Sequence, residues 1–510
     1  MTEMSASTRA PAYSWYALGV LFVVYLVNFV DRQLLSILAN DIKADLGLTD
    51  AQLGFLYGTA FAIFYALFGI PLGRLADSWS RTRLLALGLT LWSAMTMLSG
   101  LARGPALLAA ARVGVGVGEA TASPCAYSLI SDWFPGRLRA TALAIYSSGL
   151  FMGSGLSLLF GGAIVGTWNG AWPHGGPLGL VGWQAAFIIV GLPGLILALW
   201  VLSLREPVRG GEQGTAGLAA KPWRTFFGQV ALIVPPFTLI GAARSGVRGF
   251  GLNLAAAVLL GLAAWGLARA TGNWAQFAFL AVGIYSVITW AMALRRDDLP
   301  TFRLTFGTPA FVALVISYGV VCFTGYTVSY WAAPFAERTF GLSKVELGWM
   351  IGAPAALGGF LGVIIGGWSA DHLQRRWATG RLWVIFCALL APIPLNLIGY
   401  RSDNLMTFLV CAFLAQLTTS SALGAAAAAT QALVLPRMKG TATAIFFLGA
   451  ALIGLALGPY LAGLVSERSG SLGTGVIANL AIVPAGLAAL AFAIARYARS
   501  ADSAPARAAA

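Results

Sequence analysis

Charge is what this chain has least of. Only 10% of its 510 residues are Asp, Glu, Lys or Arg, against about 25% in an ordinary soluble domain, so it cannot clothe a globular core in polar surface. Acidic residues are scarcer still, 18 against 32 basic ones. Histidine is nearly absent: His174 in a loop and His372 beside Asp371 are the only two. Neither stands in the cluster of ligands or acid-base partners that a metal site or catalytic triad requires, so no metal, no cofactor and no enzymatic chemistry are expected. The four cysteines, Cys125, Cys322, Cys387 and Cys411, all fall inside apolar runs, which excludes a disulfide framework and points to free thiols.

What is plentiful is apolar. Hydrophobic residues make up 58% of the chain, and its mean hydropathy is +0.80. Runs of about 20 apolar residues, enough to cross a bilayer as helix, recur along its length. The fold class is therefore all-α, a polytopic helical membrane protein. The net charge of +14 does not point to nucleic acid, because Lys and Arg collect in alternate loops. These hold Arg81 and Arg83; Arg137 and Arg139; Arg205, Arg209 and Lys221; Arg375, Arg376 and Arg381; Arg437 and Lys439. Residues 167–182, on the opposite side, hold no positive charge. That is the positive-inside pattern, and it predicts that both termini are cytoplasmic; the expected location is the plasma (inner) membrane. The first apolar run continues into Asp31-Arg32 without an A-x-A cleavage site, so it reads as an uncleaved first helix rather than a signal peptide.

A cytoplasmic N-terminus over 1–14 leads into a six-helix bundle over 15–204, with spans near 15–38, 52–76, 84–102, 106–131, 140–166 and 183–204. A second bundle over 309–497 has spans near 309–335, 347–370, 382–400, 405–434, 441–465 and 475–497, and a cytoplasmic tail over 498–510 follows. Between the bundles lie a cytoplasmic linker over 205–248, an inserted transmembrane hairpin over 249–294 and a connector over 295–308. Pro235-Pro236 interrupts the run 225–243 of the linker, which is expected to be interfacial or broken. Two extra spans return the chain to the side it left, for a total of about 14.

The bundles echo each other. Gly73-Arg74-Leu75-Ala76-Asp77 and Gly367-Trp368-Ser369-Ala370-Asp371 each close an apolar run ahead of a cluster of arginines, and 294 residues separate Asp77 from Asp371. Ala142-Leu143-Ala144-Ile145 and Ala442-Thr443-Ala444-Ile445 lie 300 residues apart. A membrane chain that repeats at one large period is built of two homologous halves, an architecture that belongs mostly to transporters.

Ionisable residues inside a span are expensive and point to function. Asp31 and Arg32 stand in the first span; Arg112 and Glu119 in the fourth, where seven-residue spacing puts them on one helix face about 10 Å apart. Asp31 and Arg32 diverge by about 100° around their helix, so a cross-helix network of all four would let each charge find a partner. Such a set serves as a proton relay or substrate counter-charge, because a carboxylate alternating between a dry site and a cation's neighbourhood takes up and releases a proton. The alternative is a static ion pair locking two helices. Ser420 stands near Glu119's place in the second half, so the charge is confined to the first.

Gly114, Gly116 and Gly118 lack the strand a nucleotide loop needs and read as close helix packing. Gly149, Gly153 and Gly155, with their partners Gly449, Gly454 and Gly458, read the same way, and also suit surfaces that slide. Phe323, Tyr326, Tyr330 and Trp331 precede Pro334 in the seventh span and lie mostly on one face. They form either a cavity wall and gate on a kinked helix, or ordinary packing in an aromatic belt.

Gly73, Leu75, Asp77 and Arg81, with Arg83, resemble the signature loop of the major facilitator superfamily, and the resemblance covers the chain except for the inserted hairpin. Asn28-Phe29-Val30-Asp31-Arg32, together with Arg112 to Ala120 running on to Asp132-Trp133-Phe134-Pro135 and Arg139, resembles the spinster-like transporters within it. The resemblance implies two six-helix bundles in pseudo-symmetry, working by alternating access. It implies a cytoplasmic gate at Gly73, Asp77 and Arg81, with Asp77 as a charge-relay latch of the outward-facing state and Asp371 as a degenerate copy. It implies proton coupling through Asp31 and Glu119, with Arg32 and Arg112 beside them. An amphipathic, lipid-like solute of the lysophospholipid or sphingoid phosphate type follows; a small organic anion, sugar acid or drug is the other reading, and a non-transporting sensor a third. The expected partners are that solute, a proton and membrane lipids, with no nucleic acid, and the expected state is a monomer.

Overall fold

A computed structural model of the chain describes residues 10–173, 175–209, 221–244 and 246–509. His174, the N-terminal residues 1–9 with Arg9, and residues 210–220 of the expected linker lie outside the described residues. The first half comprises α1 (Ala12–Leu46), α2 (Asp50–Tyr57), α3 (Thr59–Ser78), α4 (Arg81–Ser99), α5 (Pro105–Glu119), α6 (Ala122–Trp133), α7 (Gly136–Ala171) and α8 (Gly182–Leu202). Between the halves come α9 (Pro222–Ile233), α10 (Phe237–Arg244), α11 (Val247–Thr271), α12 (Trp274–Asp297) and α13 (Leu299–Leu304). The second half begins with α14 (Pro309–Phe340), α15 (Lys344–Leu347), α16 (Ala353–Arg376), α17 (Gly380–Leu390), α18 (Pro392–Gly399) and α19 (Leu405–Ser420). It closes with α20 (Ala422–Gln431), α21 (Lys439–Gly449), α22 (Gly458–Ser469), α23 (Leu472–Ala478), α24 (Val483–Asp502) and α25 (Ala504–Ala509).

Helix is the form that lets a membrane-embedded backbone satisfy its own polar groups. Among the described residues, 12 helical segments are long and apolar enough to cross a membrane. The segments Val247–Thr271 and Trp274–Asp297 are two of them. α4 and the α5–α6 segment fall outside that set: the first opens on Arg81 and Arg83, and the second carries Arg112 and Glu119. Helices α9 and α10 meet at an 88° bend, where Pro235 and Pro236 remove two backbone donors.

The repeat reaches into the backbone. Gly47 and Gly341, 294 residues apart, end α1 and α14 in the left-handed conformation at φ +63° and +66°. Two residues on in each case, matching capping boxes start the next helices, Thr49 with Gln52 and Ser343 with Glu346. Thr121 and Ser421, 300 residues apart, sit at the breaks between α5 and α6 and between α19 and α20. Pro124 accounts for the first break, since it has no N–H for the carbonyl of Ala120.

Two seams join the halves, and the same repeated glycines build both. A Cβ on Gly54 or Gly58 would lie 2.4 Å from the Pro459 carbonyl oxygen or 2.3 Å from that of Leu455. Gly348 and Gly352, again 294 residues later, approach the carbonyl oxygens of Leu158 and Gly155 to 2.9 and 2.7 Å by the same measure. The first seam sets α2 on α22 and α3 on the π-helical turn Ala450–Leu455; the second sets α7 on α16 and on the π-helical turn Gly348–Gly352. Gly116 and Gly118 pack in the same close manner, on Phe61 of α3 and Trp92 of α4.

Candidate functional site

The halves are pinned together at the end of the bundle that bears Asp50. Three polar residues of α1, spaced three and four apart, face α14 and bind its carbonyls: Gln33 donates to Ser329 at 2.7 Å, Ser36 to Tyr330 at 2.6 Å and Asn40 to Pro334 at 3.3 Å. The Tyr330 carbonyl is available because Pro334, four residues on, has no N–H to offer it. Nearer the surface, Arg338 clasps Asp50 through both terminal nitrogens at 2.8 and 2.9 Å. Asp50 also accepts from Lys43 and Ser466, at 2.6 and 2.7 Å. Lys344 pairs with Asp41 at 2.5 Å and Glu337 at 2.8 Å. Sequence reasoning missed this network, although the Gln33, Ser36, Asn40 stripe was there to be seen.

Of the four expected intramembrane charges, one pair meets. Arg32 donates to Glu119 Oε2 from Nη2 at 2.6 Å and from Nε at 3.2 Å. Both residues are buried, and the guanidinium carbon lies 4.5 Å from the ring centres of Phe29 and of Phe61, a cation–π cradle. Asp31 points elsewhere, as its 100° offset around the helix requires. One of its oxygens accepts from Thr96 at 3.3 Å, and the other has no hydrogen-bond partner among the described residues. Arg112 reaches the Leu56 carbonyl at 3.4 Å and the Phe61 ring, and forms no ion pair with Asp31 or Glu119 among the described residues. The four-membered network is thus an ion pair with two separate charges beside it, and both guanidinium groups lie near the Phe61 ring.

A cavity of about 560 Å³ lies between the halves. Arg32 and Gln33 line it, with Tyr25, Phe29, Tyr57 and Tyr127 from the first half. Ser329, Gln416 and Ser420 supply polar groups from the second. Tyr57 stacks on Tyr330 at 4.2 Å and donates to Gln33 at 2.8 Å, closing the cavity toward Asp50. Its other end includes the exposed side chains of Ile145 and Phe447. Of the expected cavity aromatics only Tyr326 lines it. Phe323 is buried, with its backbone carbonyl against Gly458, Tyr330 donates to the Leu53 carbonyl at 3.3 Å, and Trp331 donates to the Pro459 carbonyl at 2.9 Å. The spacing put them on one face, but that face is fastened to α2 and α22. The aromatic walls Phe29 and Tyr25, about one and two turns before Arg32, were the better signal.

At the opposite end, Gly73 closes α3 with Asp77 in its last turn. Arg81 pairs with Asp132 and with Glu206, the latter at 2.7 Å, rather than with Asp77. Glu206 also accepts from the Thr82 amide at 3.0 Å. Partial burial raises the Glu206 carboxyl, but the bonds from Thr82 and Arg81 outweigh it and hold its pKa below the ordinary value. Arg209 caps α3, donating to the carbonyls of Ala76, Asp77 and Trp79. The second copy is bare by comparison: Asp371 has a side chain 72% exposed and meets Arg381 at 3.7 Å.

The chain matches the Major Facilitator Superfamily over residues 21–335 and 314–510. It is 29% identical over 462 residues to an MFS-type efflux pump of Mycolicibacterium smegmatis, covering 91% of this chain and 86% of that one. Protein spinster of Drosophila melanogaster is 29% identical over 210 residues, 41% of this chain and 33% of that protein. The probable galactarate/D-glucarate transporter GudP of Bacillus subtilis is 31% identical over 224 residues, 42% of this chain and 46% of that protein. Among solved structures, a bacterial homolog to the human lysosomal transporter Spinster, inward-facing and unoccupied, superposes with a TM-score of 0.68 at 25% identity, covering 98% of this chain and 99% of that one. Its inward-facing, occupied form gives 0.66 at 27%, covering 98% and 96%. A family match over nearly the whole length, on a helical fold whose two repeated halves enclose a cavity, settles the class: this chain belongs to the major facilitator superfamily and is a membrane transporter, not an enzyme.

Proposed function

We propose that the protein is a proton-linked secondary transporter working by alternating access, and that its cargo is amphipathic and lipid-like, with an anionic head. The observation that carries this is the Arg32–Glu119 pair at the edge of a largely aromatic and aliphatic cavity. Arg32 is the cavity's cation, and Glu119 occupies it. An anionic headgroup competes with Glu119 for Arg32, and a proton on Glu119 removes the competitor; an apolar tail takes the aromatic walls. Binding and protonation are thereby linked through one guanidinium. Asp31, buried against Thr96, offers a second proton site on the same helix turn.

In this reading the Asp77 end faces the cytoplasm, as its arginines require under the positive-inside rule, and both termini lie there. The bonds around Asp50 then close the periplasmic side of an inward-facing state. Helices α11 and α12 cross the membrane as an inserted pair, which with the six spans of each half gives about 14. The protein sits in the plasma (inner) membrane and works as a monomer.

The test is uptake into proteoliposomes of labelled lysophospholipid or sphingoid phosphate under an imposed pH gradient. Gradient-driven uptake that Glu119→Gln uncouples from pH supports the reading. Uptake indifferent to pH in the wild type, Asp31→Asn and Glu119→Gln alike refutes the coupling. A second cargo reading, a small organic anion, sugar acid or drug, draws on the sugar-acid transporter and efflux pump among the relatives. Competition by galactarate or by drugs, and not by lysolipid, would favour it.

A further inference from the structure

The inserted pair has two unlike members. α11 is exposed along most of its length, with Leu259 67% and Leu262 60% accessible, as a lipid-facing helix should be. α12 instead seats itself along the seam between the halves. Its Phe279 meets Phe55 of the first half edge-on at 5.4 Å, and its Phe277 meets Tyr460 of the second at 5.8 Å. A Cβ on Gly283 would lie 2.7 Å from Ile63 and 3.0 Å from Leu452, one from each half.

At the N-terminal end of this face stands Gln276, 1% exposed. Thr59 of α3 lies 2.6 Å both from the Gln276 side-chain oxygen and from the Ala456 carbonyl, and Gln276 Nε2 is 3.4 Å from that carbonyl. One hydroxyl proton cannot serve two acceptors. Turning the Gln276 amide over satisfies the set: its nitrogen donates to Thr59, and Thr59 donates to Ala456. The Ala456 carbonyl is free to accept because the first bond of α22, Leu461 N to Leu457 O, starts beyond it. First half, insertion and second half therefore meet in one buried polar knot, in apolar surroundings where an unmet partner is expensive.

We propose that Gln276 is a positioning residue for transport, and that α12 is a clamp holding the first seam, α2 and α3 against α22 and the turn before it, shut at the Asp50 end. The inference rests on the alternating-access reading. Opening that end must draw Thr59 away from Ala456 and strand at least one of the three groups, so the clamp favours the closed form.

Spin labels on full-length protein in nanodiscs, with the native cysteines replaced, test this. One pair, at Arg103 and Asp403, reports the Asp50 end; a second, at Arg83 and Arg375, reports the Asp77 end. Gln276→Leu and Thr59→Val should each move the closed-to-open ratio at the first pair about tenfold toward open. Thr59→Ser, which keeps the hydroxyl, should restore the wild-type ratio, and Leu259→Ala on α11 should leave it alone. Should Gln276→Leu fail to fold, Thr59→Val reads the same knot from the other side. A ratio unchanged by Gln276→Leu and Thr59→Val, in a protein that shows both forms, overturns the clamp alone. A single distance at each end of the wild type under every pH and cargo overturns alternating access, and the clamp with it.

Discussion

Arg32 holds Glu119 by a single oxygen: both of its donating nitrogens converge on Oε2, at 2.6 and 3.2 Å. A buried pair of this kind is felt most when half of it is removed. Glu119→Ala strands the guanidinium and should destabilise the protein by about 3–5 kcal/mol, whereas the double variant Arg32→Ala, Glu119→Ala should recover most of that loss. Melting of the four proteins of the cycle in detergent checks it. Additive losses would mean that the pair contributes no coupling.

Ser36→Ala leaves the Tyr330 carbonyl without its donor, next to a proline that cannot supply one. The expected penalty is about 1–3 kcal/mol, borne by the form closed at the Asp50 end. Arg338 is partly exposed, so Arg338→Ala should shift the balance by less, about 1 kcal/mol at most. Reaction of a cysteine placed at Ser329 with a membrane-impermeant thiol reagent measures both. Equal labelling of the two variants would contradict the ranking.

Glu206 gives a pH prediction with a definite sign. Its carboxyl is held below the ordinary value, so what it contributes is complete above the unfolded pKa of about 4.3 and is lost as pH falls through the lower folded value. The melting difference between wild type and Glu206→Gln should stay flat from pH 8 to about 5 and close only in stronger acid. A pH response of transport near neutrality therefore has to come from another group.

Gly58→Ala and Gly73→Ala should behave differently. A Cβ at Gly58 would sit 2.3 Å from a backbone oxygen, while the nearest atoms to one at Gly73 are 4.0 Å away in the Pro124 ring. The first should lower the melting temperature by several degrees, on the order of 1–3 kcal/mol of overpacking. The second should leave melting unchanged and slow transport, because the loop it serves has to approach the second half when the Asp77 end closes. Unimpaired transport by Gly73→Ala would remove that loop from the moving parts.

Much of this was legible in the chain. The apolar runs and the period near 300 gave two helical halves, and the cost of intramembrane charge singled out Arg32 and Glu119. What escaped the reading was how neighbouring spans divide their contacts. Helical spacing put Tyr330 and Trp331 on one face but could not say that the face belongs to α2 and α22. Nor could it separate Asp31 and Arg112 from the pair, since that depends on which neighbours each side chain meets, Thr96 in one case and the Leu56 carbonyl in the other. Pro124 and Pro334 were visible, yet their effect, a broken span in one case and a carbonyl offered to Ser36 in the other, depends on which residue lies opposite.

The two seams rest on backbone laid against backbone, glycine on carbonyl, whereas the cavity is walled by side chains, and few residues, Leu158 among them, serve both. Bearing and hold thus draw on different parts of the chain, main chain for the one and side chains for the other. A lineage could repaint the hold for a new cargo, exchanging a tyrosine here or an amide there, and leave the bearing untouched. Relatives named for sugar acids, for efflux and for spinster are what such a division of labour allows one scaffold to become.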